Sequence, residues 1–528
     1  MRRRRVLETP DIIIGVDAGT SVMKAVAFLL DGTQIATSSV ENSYTIGSDG
    51  AATQPMGRTW EDCAKAISGL SDKIANLANR TAAIAVTGQG DGTWMLNKDN
   101  VPFTDAWLWL DARAAQTVET LADGDRERLR FESTGTGLNT CQQGTQLAHM
   151  ERFHPEMIEQ AAISFHCKDW LYYCMTGVIA TDPSEASFTF GNFRTRQYND
   201  DVIAALGLSN RRYLLPDILD GSQTTYALTE SAAKMCGLNA GTPVSLGYVD
   251  MIMTALGAGI FTGESDVACS TIGSTGVHMK AVKANDVVLG QDHTGYVLCL
   301  PHADIVAQTQ TNMAATLNLD WILDVGAGVA AEFGAKPTHK EMLERLNSWI
   351  KQSSPCSLLY HPYISDAGER GPFLNADARA AFNGLSANHS YPDMVRAVVE
   401  GLAMAARDCY EAMGDLPREV RITGGAGRSD ELRRILSSSL KAPIRISSRD
   451  EAGAAAAAMM AAVAIGAFDD MEACINEWVT PLLGVPDPVD NEMIKKYDQL
   501  YSAYKSCRQG MGPTWSKMAS IRRATKEQ

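Results

Sequence analysis

Three acidic residues stand where an apolar run gives way to a turn. Asp17 follows Ile12-Ile13-Ile14-Gly15-Val16, Asp91 lies in the turn after the run 82–86, and Asp250 follows Val244-Ser245-Leu246-Gly247-Tyr248-Val249. Such β-branched runs read as strands, and strand ends are where ligands collect in open α/β domains. After Asp17 comes Ala18-Gly19-Thr20-Ser21, then a second apolar run. The N–H groups of Gly19, Thr20 and Ser21 can converge on an anion as a phosphate-binding nest. An acid beside a nest suits Mg²⁺ held between protein and phosphate, and Lys24 adds a point charge. The same residue types also make an ordinary hairpin turn. This stretch alone does not separate the two.

The other two acids carry similar alternatives. Gln89 donates and accepts, and ionised Asp91 only accepts, a pairing that suits a hydroxyl-rich ligand. A Gly/Asp turn in Thr87-Gly88-Gln89-Gly90-Asp91-Gly92 is the plainer reading. Asp250 heads a small-residue helix over 251–259, where the dipole stabilises its charge. There it is placed to take a proton from a bound hydroxyl, or simply to cap the helix. In 107–114, Trp107 and Trp109 flank Asp111 and Arg113, which also fits a local ion pair.

Two more turns complete the pattern. Ile272-Gly273-Ser274-Thr275-Gly276 repeats the first strand–Gly–hydroxyl–strand element about 250 residues later, which points to two homologous halves. Thr423-Gly424-Gly425-Ala426-Gly427 joins a strand to a helix over 431–440, a nucleotide-binding arrangement. It is not a complete G-x-G-x-x-G, because Asp430 stands in the last glycine's place, and the chain contains no G-x-x-x-x-G-K-[ST] loop.

The elements that must hold these turns are legible more coarsely. Helical spacing predicts helices over 60–77, 115–130, 168–173 and 391–413, a buried Ala-rich helix over 452–467, and a helical tail over 480–528. Residues 47–57 and 134–144 read as loops, and 1–11 as a loosely held tail. A chain of 528 residues implies more than one domain. The net charge of −15 argues against nucleic acid as a partner, and no apolar segment is long enough for a membrane span. The 11 cysteines show no C-x-x-C or zinc spacing, so they read as reduced thiols of a cytoplasmic protein.

Eight stretches, in order, resemble the FGGY carbohydrate kinases, which include glycerol kinase and xylulokinase. They are Asp17-Ala18-Gly19-Thr20-Ser21; Thr87-Gly88-Gln89; Trp109-Leu110-Asp111-Ala112-Arg113-Ala114; Ala180-Thr181-Asp182-Pro183-Ser184; Asp250 with Leu256-Gly257-Ala258-Gly259; Ile272-Gly273-Ser274-Thr275-Gly276; Gly368-Glu369-Arg370-Gly371-Pro372; and Thr423-Gly424-Gly425-Ala426. The resemblance spans about 12–468. It implies two α/β domains of the actin/hexokinase-like (ribonuclease H-like) type with a cleft between them. The expected bounds are 1–256, 257–479 and a helical tail, 480–528.

The resemblance further implies transfer of the ATP γ-phosphate to a sugar or polyol hydroxyl. Asp250 matches the catalytic base and Asp17 the acid that binds Mg²⁺, usually through water. Gly19, Thr20, Ser21 and Lys24 match the first phosphate loop, and Gly273, Ser274 and Thr275 the second. Gly424, Gly425 and Ala426 match the turn beside the adenosine, with Gln310 and Thr311 near an adenine-side segment. Gln89, Gly90, Asp91, Asp111 and Asp250 are the expected polyol contacts, with Trp94 or Trp109 as an apolar wall. Xylulokinases usually carry Met-His after the Gly-Gln and glycerol kinases Arg-Glu, whereas this chain has Gly90-Asp91. The run 88–94 is most similar to the erythritol-phosphorylating branch, which implies erythritol as acceptor. A xylulose or ribulose kinase is the alternative within the family, and a non-catalytic sugar sensor the alternative from another class. The resemblance leaves room for a homo-oligomer.

Overall fold

The computed structural model describes residues 10–122 and 124–526. Most of the expected N-terminal tail, residues 1–9, lies outside the described residues. Asp11 within it is ion-paired to Arg80 at 2.7 Å.

Among the described residues, two six-stranded sheets form the frame. The first contains β1 (Ile12–Ala18), β2 (Val22–Leu29), β3 (Gln34–Glu41), β4 (Thr81–Gly88), β5 (Thr225–Ala227) and β6 (Pro243–Val249), in the order β5-β6-β4-β1-β2-β3. The second contains β7 (Val267–Ile272), β8 (Gly276–Lys283), β9 (Tyr296–Cys299), β10 (Ile305–Asn312), β11 (Glu419–Thr423) and β12 (Ile444–Ile446), in the order β9-β10-β8-β7-β11-β12. Each sheet follows one plan. The first strand pairs antiparallel with the second, and on its other side two parallel strands are added, with β5 closing the first sheet as an antiparallel edge. Parallel additions need long crossovers, and helices supply them. The result is the two-domain α/β fold that the paired hairpins predict.

Both faces of β1 are covered, which is why it reads as an unbroken apolar run. Ile12, Ile14 and Val16 pack with Cys63, Ala64 and Ile67 of α1 (Met56–Ser68). On the opposite face Ile13 joins a cluster with two central helices. These are α4 (Asp250–Gly257), which follows α2 (Cys167–Thr176) and α3 (Pro183–Phe190) in the chain, and the later α8 (Ala452–Ala464). Between them run α5 (Thr316–Glu332), α6 (Tyr391–Glu411) and α7 (Asp430–Leu440) of the second domain. Helix α8 follows β12 of the second sheet yet lies on the first. A Cβ at Gly15 would stand 2.0 Å from the Ala454 carbonyl oxygen, so small residues are what allow this approach. The Ala-rich segment is thus buried, as expected, and is also the joint between domains.

Several expected elements differ in detail. The helix expected over 60–77 starts at Met56, and Gly69 turns it into a short 3-10 segment, Gly69–Asp72. The helix expected over 115–130 is two, Ala115–Leu121 and Gly124–Thr134, with Gly124 at φ +78°. The expected loop 47–57 contains a strand, Ala52–Gln54, paired with Ala106–Trp107. Helix α9 (Asn491–Lys526) is more than a tail, since Tyr497, Tyr501, Tyr504 and Trp515 are buried in the second domain's core. No helix among the described residues is long and apolar enough to cross a membrane, and the eleven cysteines form no disulfide.

Candidate active site

Strand register brings the three acids together. Asp17 of β1 lies beside Thr87 of β4, and Gly88 of β4 lies beside Val249 of β6. Asp17, the 89–91 turn and Asp250 therefore leave the same edge of three adjacent parallel strands, spaced about 4.8 Å apart. Asp250 is the first residue of α4, with Val249 rather than Asp250 at the cap. The strand end beneath it is fixed by Thr87 Oγ1 donating to the Tyr248 carbonyl (2.6 Å) and by Val249 N–H donating to Ser184 Oγ (3.1 Å).

All three carboxyls are partly exposed yet hemmed in by protein, and their affinity for protons rises. Burial lifts Asp17 to about 6, with Lys24 opposing and Glu451 adding to the rise. Burial lifts Asp91 to about 7 against the Cys141 thiol that donates to it. Burial and then the charge of Asp17 lift Asp250 to about 7. A floor of crowded carboxyls favours partners that bring protons or positive charge: hydroxyls and a cation.

The acceptor side is built around Gly90. A Cβ there would stand 2.4 Å from Val249 Cγ2 and 3.1 Å from Glu185 Oε1, so a side chain would force Val249 to move. Asp91 takes a left-handed backbone, φ +56°, and its Oδ2 accepts from Cys141 Sγ at 3.4 Å. Gln89 Nε2 donates to Gln54 Oε1, while its Oε1 accepts from Thr20 Oγ1, both at 2.8 Å. Trp109 Nε1 donates to the same Thr20 hydroxyl at 2.9 Å. Trp109 is 46% exposed and Trp94 wholly buried, so only Trp109 presents an apolar wall. Asp111 is turned inward. Its carboxylate accepts from the Ala52 N–H (2.8 Å) and from Arg113, the local pair that 107–114 also allowed. It is not free for a polyol.

Beneath this pocket lies a charge network that spacing alone did not reveal. Lys168 Nζ is 2.5 Å from both Asp169 Oδ1 and Asp182 Oδ2, all three side chains fully buried. His166 bridges Asp169 (3.1 Å) and Glu185 (3.4 Å). Against the penalty of burial, Lys168 and His166 hold Asp169 down at about 2, while burial outweighs His166 at Glu185 and lifts it to about 8. Asp182 also caps α3 through the Ser184 N–H (2.8 Å). The one signal in the sequence is Lys168-Asp169 set in an otherwise apolar helix.

On the phosphate side, the two Gly-hydroxyl turns are held differently. Lys24 is not free, because its Nζ pairs with Glu451, just ahead of α8, at 2.9 Å. The 273–275 turn is tied to the head of α5: the Ala315 N–H donates to the Ser274 carbonyl (2.7 Å) and the Thr316 N–H to the Gly273 carbonyl (2.9 Å). Ser21, Ser274 and Thr275 are exposed. Gly424, φ +89°, sits against that turn, where its Cβ would be 2.5 Å from the Ile272 carbonyl oxygen. Gly425 is open, and Ala426 is buried. Gln310 lies elsewhere. Its Nε2 donates to Thr294 at 3.2 Å, and β8 and β7 separate its strand from the 424–426 turn.

Asp17 fits a hard cation. A Cβ at position 453 would stand 3.0 Å from Asp17 Oδ2, so Gly453 keeps the carboxylate clear. Among the described residues no cluster of three or more His, Cys, Asp or Glu side chains surrounds a metal position. An ion held by Asp17 would take its remaining ligands from water or a bound anion.

Residues 12–257 match the N-terminal domain of the FGGY family of carbohydrate kinases, and 270–465 match its C-terminal domain. The chain is 59% identical over 513 residues to an erythritol kinase of Brucella abortus (strain 2308), covering 97% of this chain and 99% of that one. It is 26% identical over 508 residues to a xylulose kinase of Lactococcus lactis, covering 93% and 95%. Among solved structures it resembles a ligand-bound xylulose kinase from Lactobacillus acidophilus, with a TM-score of 0.86, 20% identity, and coverage of 96% and 99%. A xylulose kinase from Rhodospirillum rubrum matches at a TM-score of 0.85, 22% identity, and coverage of 96% and 100%.

Proposed function

The chain belongs to the FGGY family of carbohydrate kinases, and from that premise we propose that it transfers the ATP γ-phosphoryl group to a terminal hydroxyl of erythritol. The observation that carries this is the meeting of Asp17, Asp91 and Asp250 at the ends of three adjacent strands, with Gly90 packed against Val249, the residue before Asp250. The 59% identity to the Brucella abortus erythritol kinase supports the choice of polyol. The closed space over Gly90 also supports it, because the methionine usual in xylulokinases would force Val249 to move.

Each residue then has a task. Asp250 accepts the hydroxyl proton and orients the oxygen for attack. Asp91 holds a neighbouring hydroxyl, and Trp109 covers the carbon chain. Gln89 positions the pocket by tying Thr20 to Gln54. Magnesium held through Asp17 supplies positive charge that offsets the phosphates. The backbone of Gly19, Thr20 and Ser21 faces the phosphates from the first domain. Gly273, Ser274 and Thr275 face them from the second, and 424–426 borders the nucleoside. Lys24 joins the phosphate contacts once it leaves Glu451. Closing the cleft keeps water from the transferred group.

The test is ADP release from Mg-ATP against erythritol, glycerol, D-threitol, ribitol, D-xylulose, L-xylulose and D-ribulose. A response confined to erythritol is expected, and a response to a ketopentose alone overturns the substrate. Asp91→Ala is expected to raise the erythritol Kd about tenfold or more, because a hydrogen bond to a charged group is lost. The ATP Kd should stay within about twofold. Equal losses by calorimetry make Asp91 structural.

A further inference from the structure

The turn Gly368-Glu369-Arg370-Gly371-Pro372 stands out in the sequence and has no task above. Its backbone is clamped onto the end of β10. Buried Glu369 accepts through Oε1 from the N–H groups of Met313 (2.9 Å) and Arg370 (3.0 Å). Asn312 Nδ2 donates to the Gly371 carbonyl (3.3 Å), and Thr294 Oγ1 donates to that of Pro372 (3.0 Å). A Cβ at Gly371 would meet the Thr311 carbonyl oxygen at 2.5 Å. A turn held at so many points presents its one exposed long side chain from a rigid base. That side chain, Arg370, is exposed, and its guanidinium makes no hydrogen bond or ion pair among the described residues.

What lies next to this turn is the acceptor pocket. Thr294 opens a segment bonded directly to the first domain. The Gly137 N–H donates to the Gly295 carbonyl (2.9 Å), and Asn139 Nδ2 donates to Tyr296 Oη (2.9 Å). The same first-domain loop carries Cys141, whose thiol donates to Asp91. The charges of Arg370 and Asp91 act in opposite senses on Cys141 and Tyr296. Burial raises both Cys141 and Tyr296, Asp91 adds to the rise, and Arg370 opposes it.

Among the described residues, the other cations near the pocket are held by carboxylates. Lys24 is taken by Glu451, Arg113 by Asp111, and Lys168 by Asp169 and Asp182. A polyol hydroxyl both donates and accepts, whereas ionised Asp91 and Asp250 only accept. The hydroxyl oxygens need a donor, and a guanidinium carries five.

We propose that Arg370 is the second domain's contribution to the acceptor site, its guanidinium donating to a polyol hydroxyl whose proton Asp91 accepts, resting as this does on 88–94 being that site. Because the two side chains belong to different domains, occupying the pocket and closing the cleft become one event.

Calorimetry without turnover tests it, with erythritol and Mg-ATP titrated separately into wild type, Arg370→Gln, Arg370→Lys, Asp91→Asn and the Asp91→Asn/Arg370→Gln double variant. Arg370→Gln is expected to weaken erythritol about 30-fold, as for loss of a charge-assisted hydrogen bond. Mg-ATP should stay within about twofold, and Arg370→Lys should recover part of the loss. The double variant should lose less than the product of the singles, since both residues hold one hydroxyl. Erythritol affinity unchanged in Arg370→Gln, equal loss of both ligands, or independent effects in the double variant each overturn the proposal. Should wild type bind a ketopentose and not erythritol, the substrate falls separately, and the same ratios read on that sugar decide Arg370.

Discussion

Asp250→Asn is expected to slow phosphoryl transfer about a thousandfold, within the range for losing a positioned general base, while Mg-ATP affinity stays within about twofold. Asparagine keeps the size and the place at the head of α4, so the strand-end bonds from Thr87 and to Ser184 are undisturbed. What is lost is the ability to take a proton. Burial and the charge of Asp17 hold Asp250 near 7. Its carboxylate form is present above that value and disappears as pH falls through it, so wild-type turnover should decline on the acid side. The residual turnover of Asp250→Asn should decline less steeply, since one of the groups titrating there is gone while Asp91 near 7 and Asp17 near 6 remain. Single-turnover ADP formation across pH 5.5–8.5 checks both. A variant within about tenfold of wild type, or one whose acid limb is as steep as the wild type's, removes Asp250 from the base role.

The acids were legible because the pattern that marks a buried parallel strand also marks where it ends. An unbroken apolar run needs both faces covered, and the first polar residue after it emerges at an edge. Asp17 and Asp250 show this plainly. That they emerge at the same edge depends on the β1–β4–β6 register, which the family resemblance implied and no single segment contains. Residues whose roles depend on distant partners were less visible. Asp111 looks the same in sequence whether it faces a ligand or, as here, the Ala52 N–H 59 residues away. Gln310 sits on the expected strand, but strand order carries it away from the 424–426 turn. The Ala-rich run declared its burial and not its neighbour, because Ala packs against any close surface and only Gly15 across from it identifies which one. Arg370 belongs to the same class: its motif is plain in the sequence, while the influence of its charge on Cys141 of the other domain depends on contacts between domains.

Lys168→Met is expected to destabilise the first domain by about 3–5 kcal/mol, the cost typical of breaking a buried ion pair from one side. Five ionisable groups balance under the pocket. Lys168 and His166 are held protonated, Asp169 and Asp182 are their counter-charges, and burial makes Glu185 the reluctant acid at about 8. Methionine fills the lysine's volume but leaves two buried carboxylates facing one imidazolium. The strain falls on Asp182, the cap of α3, and α3 carries the Ser184 hydroxyl that receives the N–H just before Asp250. Stability and turnover should therefore fall together, although Lys168 touches no ligand. Adding Asp182→Asn restores the balance, leaving Asp169 with His166, so the double variant should recover much of the lost stability. Thermal denaturation, with hydrogen exchange along Pro183–Phe190, reads the effect where it arises. If Lys168→Met melts within about a degree of wild type, or if Asp182→Asn deepens the loss, charge balance is not what holds α3 beneath the catalytic strand end.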